Sequence, residues 1–230
     1  MNAVCAWIAG ASGLVGNELL HLLLDDARVA QVVSLGRREF KFTHGKMLQR
    51  IVDFAALPAG LPAPDVAFCA LGTTIKSAGS REAFRRVDHD YIVAFASAAL
   101  AAGATRFAMV SSIGADCESG NFYLRTKGEA EHAISMLPFA AVHIARPSML
   151  LGKRREFRLG ERIATPLFYL AWPLLLGPLR KYRAIHARQV AKAMLECALG
   201  PTQGVHIHES DELARMGRTT ARRIGTNSPT

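Results

Sequence analysis

The 230-residue sequence has no C-x-x-C pair, and none of its four cysteines, Cys5, Cys69, Cys117 and Cys197, has a histidine at metal-ligand spacing. That excludes a disulfide scaffold and a zinc-finger-type site. Cys5 and Cys69 lie in apolar, strand-like runs and read as small core residues, and reduced thiols fit a cytoplasmic protein. No basic segment with a cleavage site precedes the first apolar run, so secretion is not expected. Membrane-crossing length is also lacking, since a spanning helix needs roughly 20 apolar residues. The nearest stretch, Pro166 to Leu179, is interrupted by Pro166, Pro173 and Pro178. It reads as a packed helix over a substrate site or as an oligomer contact, with peripheral membrane contact as the other reading.

Acidic residues are the scarcer sign, 19 against 28 Lys and Arg, for a formal charge of +9. The surplus gathers at Lys153, Arg154, Arg155, Arg158, Arg162, Arg180, Lys181, Arg183 and Arg188, and again at Arg215, Arg218, Arg222 and Arg223. Such a surface attracts anions, whether nucleic acid, membrane, a phosphorylated cofactor or a substrate, and it also keeps a protein dissolved. Aromatics are sparse in the basic stretch and no nucleic-acid motif accompanies it, which sets nucleic acid aside as a partner.

What is present begins with Ala3 to Ala9, an apolar strand feeding Gly10-Ala11-Ser12-Gly13-Leu14-Val15-Gly16 and then the apolar run Leu19 to Leu24. A tight strand-to-helix turn and close approach of backbone to a pyrophosphate both require residues without Cβ. A helix starting near Gly13 aims unpaired N–H groups and its positive dipole end at that anion. The loop therefore points to a dinucleotide site at Gly10, Ser12, Gly13, Leu14, Val15 and Gly16.

Apolar runs alternate with helix-length segments along the rest of the chain, the pattern of βαβ units and a parallel sheet. Strands are expected at Val4–Ala9, Val32–Gly36, Gln49–Asp53, Val66–Ala70, Arg106–Ser111, Ala141–Ala145 and Gly204–Ile207. Helices are expected at Leu14–Leu24, Ser80–Ala102, Tyr123–Met136 and Ala187–Leu199. The fold class is α/β, a Rossmann-type doubly wound parallel sheet in one domain over 1–213. A substrate-capping segment covers about 153–183, and 214–230 form a flexible basic tail.

The second strand ends Ser34-Leu35-Gly36-Arg37-Arg38, about 20 residues beyond the glycine loop, where this fold faces the adenine ribose. A carboxylate there would bind the 2′-hydroxyl; Arg37 and Arg38 suit a 2′-phosphate instead and favour NADPH/NADP over NAD. Asp53 either accepts from the adenine amino group or caps the next turn. Ser111-Ser112 ends the fifth strand, and Tyr123-Leu124-Arg125-Thr126-Lys127 opens a helix. Tyr123 and Lys127 share one helix face. A neighbouring ammonium lowers the pKa of a phenol toward proton-shuttle range, and Ser112 would hold the substrate oxygen. His206 and His208 alternate on the last strand without an evident third metal ligand, so structural roles are preferred and no metal is expected.

With these motifs the chain resembles an atypical or extended short-chain dehydrogenase/reductase, and among those the Tat-interacting-protein-like oxidoreductases. The resemblance runs from Met1 to about Leu213. It is carried by the glycine loop, Ser34 to Arg38, Leu71-Gly72-Thr73-Thr74, Val87-Asp88, Val110 to Asp116, Phe122 to Glu129, and Arg146 to Gly152. The resemblance implies that Leu71, Gly72, Thr73 and Pro147 line the cofactor and that Lys127 holds the nicotinamide ribose as well as tuning Tyr123. One departure concerns the asparagine that relays protons in the best-known enzymes of this kind, since the corresponding region here reads Val87-Asp88-His89-Asp90.

The expectation is an NADPH-dependent oxidoreductase acting on a carbonyl or alcohol, monomeric or homodimeric, with Ser112, Tyr123 and Lys127 catalytic. The alternative is a dinucleotide-binding regulatory or interaction protein without catalysis.

Overall fold

A computed structural model describes residues 3–39, 42–152 and 177–219. Seven parallel strands form one sheet in the order β3-β2-β1-β4-β5-β6-β9. They are β1 (Val4–Ala9), β2 (Val29–Gly36), β3 (Met47–Ile51), β4 (Val66–Cys69), β5 (Arg106–Val110), β6 (Ala141–Arg146) and β9 (Gly204–Glu209). The crossover helices are α1 (Leu14–Asp25), α4 (Tyr91–Ala101), α5 (Phe122–Ser135) and α6 (Ala187–Leu199). Two short helices, α2 (Ile75–Ala78) and α3 (Arg81–Arg85), precede α4, and α7 (Ser210–Thr219) follows β9.

Alternation along the strands divides the core. Ala6, Ile8, Val32 and Phe68 pack with Leu19 and Leu23 of α1 and Val190 and Met194 of α6. Trp7, Val33, Ala67 and Phe107 pack on the other face with Ile92 and Phe95 of α4 and Ile134 of α5. Both faces are covered, which is why the strands read as nearly continuous apolar runs. Fully burying each large apolar side chain contributes about 1.5–3 kcal/mol.

Three departures from the periodicity have physical causes. The expected helix Ser80–Ala102 is continuous but not uniform, because a π-helical turn, Arg86–Asp90, joins α3 to α4, with the Tyr91 N–H bonded back to the Arg86 carbonyl. The third strand lies at Met47–Ile51 instead of Gln49–Asp53. Val52 adds one last bond to the Gly36 carbonyl, and Asp53 turns away into a bridge with Ala56. Where a flexible tail was expected from 214 onward, α7 runs on to Thr219. Its Leu213 is buried, and Gly217 lies so close to Gln189 of α6 that a Cβ would meet the Gln189 carbonyl at 2.6 Å.

A two-stranded parallel ribbon, β7 (Leu150–Leu151) with β8 (Ile185–His186), brackets the segment expected to cap the site. Most of that segment, 153–176, and positions 220–230 of the expected tail lie outside the described residues.

Candidate active site

The carboxyl ends of β1, β4, β5 and β6 bring the candidate residues to one edge of the sheet, where α/β folds bind ligands. The glycine loop leaves β1 through Gly10, whose φ of +82° suits glycine and whose Cα sits against the backbone of Ala70 and Leu71. Gly16 in turn packs on the Gly10 carbonyl, leaving no room for a Cβ. The loop closes through the Gly13 N–H to the Gly10 carbonyl at 3.0 Å. Gly13 caps α1 without a side-chain acceptor, and the first turn carries no acid. Ser12 and Gly13 are exposed while Val15 is buried, so this helix start faces outward with its N–H groups and its dipole uncompensated by side chains. These residues fit a dinucleotide pyrophosphate. Gly152 lies against Leu14, where a Cβ would meet Leu14 Cδ1 at 2.6 Å, so the start of the capping segment adjoins the loop.

Arg37 and Arg38 are both exposed beyond β2. Arg37 lines a cavity of about 200 Å³ with Thr73, Ser77, Arg86, Val87 and Tyr91. The cavity unites Arg37 with Thr73 and adds Arg86 and Tyr91, which motif reading did not single out; Leu71, Gly72 and Arg38 are not among its lining residues. Asp53 is exposed and its Oδ1 accepts from the Ala55 N–H at 2.9 Å. Of the two readings of Asp53, the structure supplies the turn cap.

Ser111 continues β5 by donating its N–H to the Ala145 carbonyl at 2.7 Å, and Ile113 donates to the Pro147 carbonyl at 3.1 Å. Ser112 is thereby fixed between them, opposite the Arg146–Pro147 segment. Asn121 caps α5 by accepting from the N–H groups of Tyr123 (2.9 Å) and Leu124 (3.2 Å), which places Tyr123 in the first turn. The Tyr123 ring packs on Phe84, with centroids 5.5 Å apart. Arg146, just before Pro147, is held by Glu131 of α5 through a bidentate pair with Nη2–Oε2 at 2.5 Å. The Glu131 hydrogen bonds, strongest of the influences on it, push the Arg146 guanidinium pKa upward against burial.

Lys127 is 4% exposed, and its Nζ lies 2.6 Å from Oδ1 of Asp88, itself 1% exposed as a side chain. The other Asp88 oxygen accepts from the Thr73 N–H at 2.8 Å. Burial works against the Lys127 charge, but Asp88, Tyr123 and Cys69 together outweigh it and push its pKa upward. The Cys69 thiol is pushed up to about 12 by burial. Asp88 is the residue that motif reading passed over. Its place in Val87-Asp88-His89-Asp90 was visible, but the π turn that delivers it to a lysine 39 positions away was not.

Other candidates separate from this edge. A cavity of about 500 Å³ is lined by Ala115, Asp116, Cys117, Gly128, Glu131, His132, Ser135, Arg146 and Ile207, and neither Ser112 nor Tyr123 is among its lining residues. Cys117 is exposed there. His186 is exposed and caps α6 together with Gln189. His206 and His208 do gain a neighbour: His143 of β6 stacks on both. His143, His208 and Cys197 place their ligand atoms within 4.8 Å of one another. The two ring pairs have partners without an ion. Thr202 Oγ1 is 3.1 Å from His143 Nε2, His143 Nδ1 is 3.1 Å from His208 Nε2, and His208 Nδ1 is 3.2 Å from Glu212. One tautomer satisfies both His143 nitrogens, with Thr202 donating to Nε2 and Nδ1 donating to His208, whereas the His208 Nδ1–Glu212 contact lacks hydrogen-bond geometry.

No family model matches the chain. It is 35% identical over 225 residues to the protein HTATIP2 of Rattus norvegicus, covering 95% of this chain and 91% of that protein. It is 32% identical over 235 residues to the mitochondrial protein FMP52 of Coccidioides immitis, covering 92% and 96%. Among solved structures it resembles MoeE5 in complex with UDP-glucose and NAD, at a TM-score of 0.67 and 17% identity over 94% of this chain and 82% of that one. It also resembles the human epimerase family protein SDR39U1 with NADPH, at a TM-score of 0.60 and 18% identity over 89% and 74%. At these identities the structural likeness speaks for the fold. Among the described residues, no helix is long and apolar enough to cross a membrane.

Proposed function

Since this chain belongs to the family of HTATIP2 and the FMP52 proteins, within the short-chain dehydrogenase/reductase superfamily, we propose that it is an NADPH-dependent oxidoreductase acting on a carbonyl or alcohol. The observation that carries the reading is the convergence of the glycine loop, Ser112, Tyr123 and Lys127 on one edge of the sheet. The pyrophosphate is held by the Gly10–Gly16 loop, with the N–H groups of the α1 start and its dipole as the attraction. Arg37 meets the 2′-phosphate beside Thr73, and Arg38 adds positive potential nearby. Leu71, Gly72 and Pro147 line the remaining path.

When bound, the nicotinamide supplies or accepts the hydride. Tyr123 gives or takes the proton at its phenolic oxygen, and Ser112 Oγ holds the substrate oxygen in place. Lys127 holds the ribose hydroxyls and stabilises the Tyr123 phenolate, a pull that Asp88 moderates. The arginines of the basic stretch that follows Gly152 in the sequence suit an anionic group on the substrate. The four free cysteines suit a reducing compartment such as the cytoplasm.

The test is single-turnover oxidation of bound NADPH by a panel of aldehydes, ketones and quinones. The expected result is turnover with at least one class, lowered about 100-fold or more in Tyr123→Phe, the usual size of a lost acid–base group. Turnover unchanged in that variant contradicts the mechanism. Tight binding without any turnover favours a dinucleotide-binding interaction protein.

A further inference from the structure

The proposed function gives the carboxylate against Lys127 no role toward the cofactor itself. Asp88 is inside the protein, 2.6 Å from Lys127 Nζ through Oδ1, with Oδ2 on the Thr73 N–H at 2.8 Å. Gly72 lies against both partners, since a Cβ there would stand 3.4 Å from Asp88 Oδ1 and 3.6 Å from Lys127 Nζ. One carboxylate thus joins three elements: the loop after β4, the π turn and α5. Such a turn is an uncommon insertion and frequently marks functional positions. Among the described residues, Asp88 is the one acid paired with Lys127.

A lysine that meets the nicotinamide ribose without a counter-charge would bring a net positive charge to a ring that is itself cationic when oxidised and neutral when reduced. It would therefore weaken the oxidised form selectively. With Asp88 in contact the pair is neutral overall, and this penalty is cancelled. We propose that Asp88 is the counter-charge through which this site sets its relative affinity for oxidised and reduced dinucleotide. It acts through Lys127 as a positioning residue and not by touching substrate. The inference rests on the dinucleotide reading above, and it deepens that reading because the balance between the two forms biases the direction in which the cofactor is used.

Charge and scaffolding make different predictions. If Asp88 only anchors the Thr73 loop, its loss weakens both cofactor forms by the same factor. If it is a counter-charge, the ratio of the two dissociation constants moves, and removing the opposite partner moves it the other way.

The experiment is calorimetric titration of the full chain with NADP⁺ and with NADPH, in wild type, Asp88→Asn and Lys127→Gln. Asn keeps an acceptor for the Thr73 N–H. In Asp88→Asn the ratio of the NADP⁺ to the NADPH dissociation constant should rise about fivefold or more, the lower end of ordinary coupling between two sites. In Lys127→Gln, which leaves the carboxylate alone, it should fall by a similar factor. Should Asp88→Asn not fold, the fall in Lys127→Gln still decides the matter, because it has the opposite sign to a general loss of affinity. Equal weakening of both forms in the variants overturns this inference and leaves the proposed function standing. Failure of the wild type to bind either form overturns both.

Discussion

Two ionisable groups of this protein are buried almost equally, and their charges are handled in opposite ways. Lys127, at the carboxyl edge of the sheet, is 4% exposed and stays charged against Asp88. His143, in the opening half of β6, is 2% exposed and is pushed down to about 4, first by burial and then by His208, His206 and Arg106. A buried charge is costly unless paired and hydrogen-bonded. At Lys127 the fold provides the partner. At His143 it provides two further imidazoles, a hydroxyl and a neighbouring guanidinium, none of them a negative charge, and the pKa falls to about 4. The difference teaches that a buried charge is kept where the dinucleotide reading has a use for it and is avoided where the histidines only join β6 to β9.

The most disruptive way to break the comparison is to remove the counter-charge outright. Asp88→Leu leaves a buried ammonium unpaired and should cost about 3–5 kcal/mol in urea unfolding. Lys127→Met in the same chain should restore most of that loss, since apolar replacement of a whole buried pair is often neutral. Failure of the double variant to recover would locate the damage in packing instead of charge.

The next effect is the pH dependence that His143 contributes. Its folded pKa lies below that of the unfolded chain, so the unfolded state binds more protons between the two values. Stability from this group is fully present above about pH 6.5 and falls as pH drops toward about 4, by roughly 3 kcal/mol in all. Chemical denaturation across that window should show the slope in wild type and a flatter line in His143→Asn. A smaller effect sharpens the same comparison. Glu212→Gln removes the carboxylate facing His208 Nδ1 and should cost at most about 1 kcal/mol. Smallest of all is Arg188→Ala, which removes an exposed pair with Glu18 at 3.2 Å and should change stability by less than about 0.5 kcal/mol.

The order of strands and helices was legible because each strand carries two apolar faces and each crossover helix one. The glycine loop, Ser112, Tyr123 and Lys127 were legible as motifs whose spacing has a mechanical meaning. The π turn was not, because one widened turn leaves the apolar periodicity of Ser80 to Ala102 almost intact. Asp88 was therefore visible as a departure from a familiar pattern and invisible as the partner of Lys127. Asp53 illustrates the opposite limit: a carboxylate after a strand has two chemically sensible roles, and its bond from the Ala55 N–H fulfils one without excluding the other. His143 escaped notice because its partners His206 and His208 come from a strand that pairs with β6 from more than 60 residues away.

The central claim, that the glycine loop and the arginines after β2 hold a phosphorylated dinucleotide, is most directly tested by titrating the protein with NADPH and NADH side by side. The account predicts that NADPH binds about tenfold tighter or more, as expected when one charge-assisted contact contributes roughly 1.5–3 kcal/mol. Equal affinities would contradict the role given to Arg37 and Arg38, and binding of neither would contradict the dinucleotide site itself.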